Sequence, residues 1–225
     1  MARYLIHACL DRYWYVNDFL SPSMIRQGIK EENIDVYLDK KREGNLMSCM
    51  KAFGSVPDDE DGIWHLQDDI LLARSFKKVT EELDSGIVCG HFYERHNYMK
   101  EYVGEVPVTQ MWFSFPCIRI PNQIARGCAK YYWNDILPNR AYDPWIKAKK
   151  YDDTIFNLYM VEHHSDMRVI NLVPNLVAHI DYLIGGTQAG QARGELEPMG
   201  TYFEEPELID ILRKELETYE KGNNF

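Results

Sequence analysis

Asp68 and Asp69 stand side by side at the end of the apolar run GIWHLQ, residues 62–67. Adjacent carboxylates repel each other, and both are costly to take out of water. Oxygen donors at such a place suit magnesium or manganese bound together with substrate phosphates. The ordinary structural alternative is a helix N-cap followed by a first-turn acid, which is common and stabilising. Other acids repeat the placement: Asp11 follows RYLIHACL (3–10), and Asp39 closes IDVYLD (34–39). Arg42 and Asn45, beside Asp39, are placed either to touch phosphate or sugar or simply to be solvated. A second acidic pair, Asp152-Asp153, opens the helical pattern DDTIFNLYMVEHH, where carboxylates favour the helix dipole. His179 lies among apolar residues in PNLVAHI, the setting of a hydrogen-bonded core histidine. His91, His96, His163 and His164 show no ligand spacing. Trp112, amid Phe and Tyr, suits either a core or stacking on a sugar ring.

These residues need strands and helices to position them. Apolar runs at 3–10, 34–39, 63–67 and 87–92 read as buried strands. Between them lie helix-length patterns: 14–33 with a break or start at Pro22, then 45–56 with Leu46, Met50 and Phe53 on one face, then ILLARSFKKVTEELDSG closed by a glycine. Strands alternating with helices predict βαβ units and a mainly parallel sheet. Ligands of open α/β sheets bind outside the carboxyl ends of the strands, and three strand ends here carry Asp. In the second half, 108–120 reads as extended, a helix opens at Pro121, and a further helix opens at Asp152. Then come a strand, MRVINL, and the segment bearing His179. The organisation is one domain over residues 1–204 with a charged amphipathic C-terminal helix and polar tail over 205–225.

The chain has 225 residues, 45% hydrophobic and 13% aromatic, which suits a packed core and not a disordered segment. Its formal charge of −10 disfavours phosphate-gripping nucleic-acid contacts. Five scattered cysteines without zinc or redox spacing read as reduced thiols of a cytoplasmic protein. No apolar run approaches a membrane span, and the N-terminal run is too short and too soon charged for a signal peptide.

The order of strand–Asp39, strand–Asp68-Asp69, a helix opened by Asp152-Asp153 and a late PNLVAHI resembles the GT-A glycosyltransferase fold. WHLQDDILLARSF followed by VPNLVAHIDYLIGGT is particularly similar to small bacterial and phage-encoded glycosyltransferase-like proteins. The resemblance spans roughly residues 3–187 and implies a Rossmann-like α/β domain that moves a sugar from a nucleotide-sugar donor to an acceptor hydroxyl. It implies that Asp69, with His179, holds Mn2+ or Mg2+ on the donor diphosphate, and that Asp68 contacts the ribose or a coordinated water. It further implies that Asp39 hydrogen-bonds the base or ribose and that Asp153, or else Asp152, is the catalytic carboxylate. One position departs from the pattern. The family motif carries an acid two places before its last Asp, and this chain has Gln67, a neutral group. Ribose contact or metal affinity is then altered.

Adjacent carboxylates at a strand end serve phosphoryl transfer equally well, so a metal-dependent phosphohydrolase or nucleotidyltransferase is the rival enzyme reading. A non-catalytic module binding sugar-nucleotide or protein is a third. The acceptor is left open among a glycan, a protein and a modified nucleotide.

Overall fold

The computed structural model describes residues 2–59, 61–91, 104–110, 113, 115–148, 151–185, 203 and 205–223. Strand β1 (Arg3–Cys9) leads through a 3-10 turn (Leu10–Arg12) into a helical run. That run comprises α1 (Tyr13–Tyr15), a π segment (Val16–Leu20) and α2 (Ser21–Arg26). Pro22 explains the π segment, because proline has no N–H to donate and its ring crowds the carbonyl four residues back. Widening the turn, with Ser21 N–H reaching Val16 O, accommodates it without ending the helix.

Next come β2 (Ile34–Asp39), α3 (Asn45–Ser55), β3 (Gly62–Gln67), β4 (Ile70–Leu72), α4 (Phe76–Glu82) and β5 (Ile87–Cys89). They are followed by β6 (Gly104–Pro107), β7 (Cys117–Pro121), α5 (Asn122–Tyr131), a second π segment (Tyr132–Ile136) and α6 (Asp143–Ala148). The chain closes with α7 (Asp152–His163), β8 (Arg168–Asn171), β9 (Val177–His179), the single turn α8 (Asp181–Ile184) and α9 (Pro206–Asn223).

A 7-stranded sheet has the order β2-β1-β3-β7-β5-β8-β6. Strands β6 and β7 run antiparallel to the other five strands of the sheet, which share one direction. The expectation of a mostly parallel α/β sheet flanked by helices therefore holds. Helices α3, α5 and α7 bury Phe53, Ala125 and Phe156 on one face. The opposite face is covered by the helical run after β1, by α4 and by α9, through Leu20, Phe76 and Leu212. The C-terminal helix is thus part of the core. Among the described residues no helix is long and apolar enough to cross a membrane.

Two expected boundaries differ. Ile70–Leu72 is not the start of a helix: it pairs antiparallel with β9 in a separate 2-stranded sheet. A three-residue apolar run cannot be told from a helix turn by periodicity, and its partner lies over a hundred residues away. Pro121 ends β7 and precedes α5 as its N-cap instead of opening it.

Gly90 ties this second sheet to the first. Its N–H donates to Cys117 O at 3.0 Å and its carbonyl accepts from Leu176 N at 2.8 Å, just before β9. A Cβ there would lie 2.7 Å from Cys117 Sγ and 3.4 Å from Leu176 Cδ1. Gly90→Ala is expected to destabilise by about 1–3 kcal/mol in urea denaturation, since both neighbours are buried and must shift.

Candidate functional site

The site begins where β1 and β3 end. Cys9 N–H donates to Asp68 Oδ2 at 2.7 Å, which ties the first acid to the end of β1. Arg12, on the turn that follows, reaches both acids: Nη2 lies 2.5 Å from Asp68 Oδ1 and Nη1 lies 2.9 Å from Asp69 Oδ2. The β4–β9 ladder brings in the other partner. Its register sets Ile70 opposite His179, and Ile180 N–H donates to Asp69 O at 2.8 Å. His179 Nε2 then lies 3.1 Å from Asp69 Oδ2, with Asp181 Oδ1 4.0 Å from its Nδ1.

Electrostatics explains why the cations are needed. Two like charges about 4 Å apart repel by roughly 4 kcal/mol at an effective dielectric near 20, before any desolvation. Burial pushes Asp69 up, but His179 and Arg12 together outweigh it and hold its carboxyl below the usual range. Burial prevails at Asp68, raising it against the pull of Arg12. Burial also works against the charge of His179, and Asp69 reverses that, so the imidazole holds its proton more firmly than in water.

The second half of the site lies at the end of β2. Asp39 accepts from Glu43 N at 3.0 Å and from Gly44 N at 2.9 Å, so both its oxygens close the β2–α3 loop. Gly44 has φ +97°, a conformation that favours glycine. Arg42, at φ +54°, turns outward to pair with Asp11 at 2.6 Å. Asn45, the first residue of α3, donates through Nδ2 to Asp152 Oδ1 at 2.7 Å.

Asp152 and Asp153, the first two residues of α7, meet different surroundings. Asp153 Oδ1 accepts from Thr154 N at 2.7 Å, as an acid in a first turn does. Asp152 is 4% exposed, and its Oδ2 is buried without a hydrogen-bond partner. Burial, reinforced by Asp153, raises its pKa to about 8. Tyr151, at φ +79°, supplies the backbone bend that turns α7 inward at this point.

Sequence reasoning missed Arg12, although a pair of buried acids calls for a countercharge and Arg12 directly follows Asp11. It also left out His91, which is buried with its ring 6.2 Å from that of His179. Gln67 ends β3 opposite His7 on β1 and is half-buried. Trp112 and His96 lie outside the described residues. A further group, His7, Cys49 and His65, has ligand atoms within 4.8 Å of one another in the core. His7 Nε2 is already 2.6 Å from Ser48 Oγ, and burial lowers the His7 pKa to about 4.

A divalent ion needs open donor positions. Of the four carboxylate oxygens of Asp68 and Asp69, Asp69 Oδ1 is the one with no hydrogen-bond or ion-pair partner among the described residues. Asp69 and His179 are brought together, but as an ion pair completed by a guanidinium. So arranged, they do not fit a divalent cation. No family model, no curated protein and no solved structure matches this chain.

Asp152 makes a pH-dependent contribution to stability. An unfolded Asp ionises near pH 4, whereas the folded carboxyl ionises near pH 8. Between those values the folded state holds a proton that the unfolded state lacks, so stability falls as pH rises through this window. Asp152→Asn keeps the acceptor for Asn45 and removes the ionisation. Urea denaturation should find it more stable than wild type by at least about 1 kcal/mol at pH 8, with the difference vanishing near pH 4.

Proposed function

We propose that this protein is a glycosyltransferase that moves a sugar from a nucleotide-sugar to an acceptor hydroxyl at the carboxyl edge of β1, β2 and β3. The observation that carries the reading is Asp152: a buried carboxyl with one oxygen held by Asn45 and the other unpaired, at the same sheet edge as Asp68 and Asp69. Supporting it are the mostly parallel α/β sheet and the convergence of strand-end acids on one edge.

In this reading Asp152 acts as the general base, in preference to Asp153, whose carboxylate is occupied at its own helix start. Asn45 orients Asp152 through Oδ1, leaving Oδ2 for the acceptor proton. As the proton moves to Oδ2, the acceptor oxygen bonds to the anomeric carbon. The bond from that carbon to the diphosphate breaks, and its electron pair departs with the nucleoside diphosphate. A base with a pKa near the working pH combines an adequate ionised fraction with strong proton affinity. Arg42, three residues after Asp39, is an exposed cation beside the expected nucleotide contacts; its partner Asp11 is also exposed, and such a pair opens at little cost.

The test is nucleoside diphosphate release from a panel of nucleotide-sugars. Turnover should rise with pH as Asp152 ionises, pass half its maximum near pH 8 and level off at higher pH. Asp152→Asn should lower turnover by about 10²–10⁴-fold with donor affinity nearly unchanged in calorimetry, because it acts on the acceptor proton. Asp153→Asn should remain active. Release of inorganic phosphate or pyrophosphate in place of the nucleoside diphosphate would favour phosphoryl transfer, and donor binding without turnover a binding module.

A further inference from the structure

Arg12 is embedded between two acids and leaves the turn after β1 with its side chain 12% exposed. Its guanidinium is planar and offers donors in a fixed fork, so one group can face two carboxylates at once. Here the fork faces Asp68 Oδ1 and Asp69 Oδ2 from one side, while His179 faces Asp69 Oδ2 from another. The remaining Asp68 oxygen is held by Cys9 N–H. These contacts come from three elements, β1, the turn after it and β9, and close around the pair.

We propose that Arg12 is the resident cation of the Asp68–Asp69 pair, standing where a divalent ion would otherwise sit, and that replacing it opens a Mn2+ site that the wild-type protein lacks. A guanidinium cannot yield its place by losing a proton. It would have to leave as an ion and abandon two buried carboxylates, which is the costly way to break a buried pair. A lysine in the same place could give up its proton, whereas arginine locks the site. Removing the guanidinium leaves Asp68 Oδ1 and Asp69 Oδ2 facing the vacated volume, with the imidazole of His179 already on Asp69 Oδ2 and Asp69 Oδ1 without a hydrogen-bond partner among the described residues. Hard oxygen donors with one imidazole suit Mn2+.

The experiment titrates Mn2+ alone and follows the loss of its free-ion electron paramagnetic resonance signal. It needs no donor sugar, so its failure and that of the glycosyl-transfer reading are told apart. Wild type should leave Mn2+ free at about 0.1 mM, whereas Arg12→Met, which keeps the aliphatic stem, should bind at least about 30-fold more tightly. Adding Asp69→Asn to Arg12→Met should abolish that binding. Arg12→Gln serves as the second variant if the Met variant does not fold without Mn2+, and refolding of the Met variant on Mn2+ addition would support the proposal. Tight Mn2+ binding by wild type that Asp69→Asn removes would overturn it. So would a folded Arg12→Met or Arg12→Gln protein that binds no more Mn2+ than wild type.

Discussion

Two buried carboxylates on consecutive residues repel each other, and neither can supply the countercharge that the other lacks. Asp68 and Asp69 therefore depend on cations delivered from elsewhere in the chain. Arg12 comes from the turn after β1 and His179 from β9, on opposite sides of the pair in sequence. Much of the local architecture follows from this need. The chain leaves β3 and pairs at once as β4 with β9, which places His179 beside Asp69. Gly90 brings the segment before β9 close to β7 with no side chain in the way. Core packing by Ile70, Val177 and Ile180 holds that small sheet against the larger one.

A third acid meets a different environment. Among the described residues Asp152 has one side-chain amide partner in Asn45, an oxygen without a partner and no cation beside it, so burial, reinforced by Asp153, outweighs the backbone hydrogen bonds that favour its charge. Carboxyls on one sheet edge are thereby divided in character: Asp69 held ionised, and Asp152 held ready to exchange a proton near neutral pH. Such separation of neighbouring acids by environment is how a single site assigns different roles to the same chemical group. The non-glycine residues with positive φ among those described are Arg42 and Tyr151, and each borders this half of the site. A left-handed conformation at a non-glycine residue costs about 1–2 kcal/mol and persists only where its surroundings over-determine it. In the β2–α3 loop the surroundings are the Asp39 carboxylate and two backbone N–H groups. At α7 the bend at Tyr151 sets Asp152, and not its neighbour, against Asn45.

The amino-acid sequence by itself determined the alternation of strands and helices in the first half, because burial on both faces of a parallel strand demands an apolar run and a crossover helix demands its own period. Strands β1, β2 and β3 and helix α3 lie where those patterns place them. It also determined that Asp11, Asp39 and Asp68-Asp69 share one sheet edge, since parallel strands put their carboxyl ends together. Local pattern could not decide what depends on distant pairing. Ile70–Leu72 became a strand because β9 supplies its hydrogen bonds, and His179 became an ion-pair partner because that register puts it there. The tertiary structure alone decided that Asp39 spends both oxygens on its own loop, that Asp152 is the buried member of its pair, and that a guanidinium stands between Asp68 and Asp69. The physical reason is common to all three: charge and hydrogen-bond partners act through a few ångströms of space, and the chain brings those ångströms about only by folding.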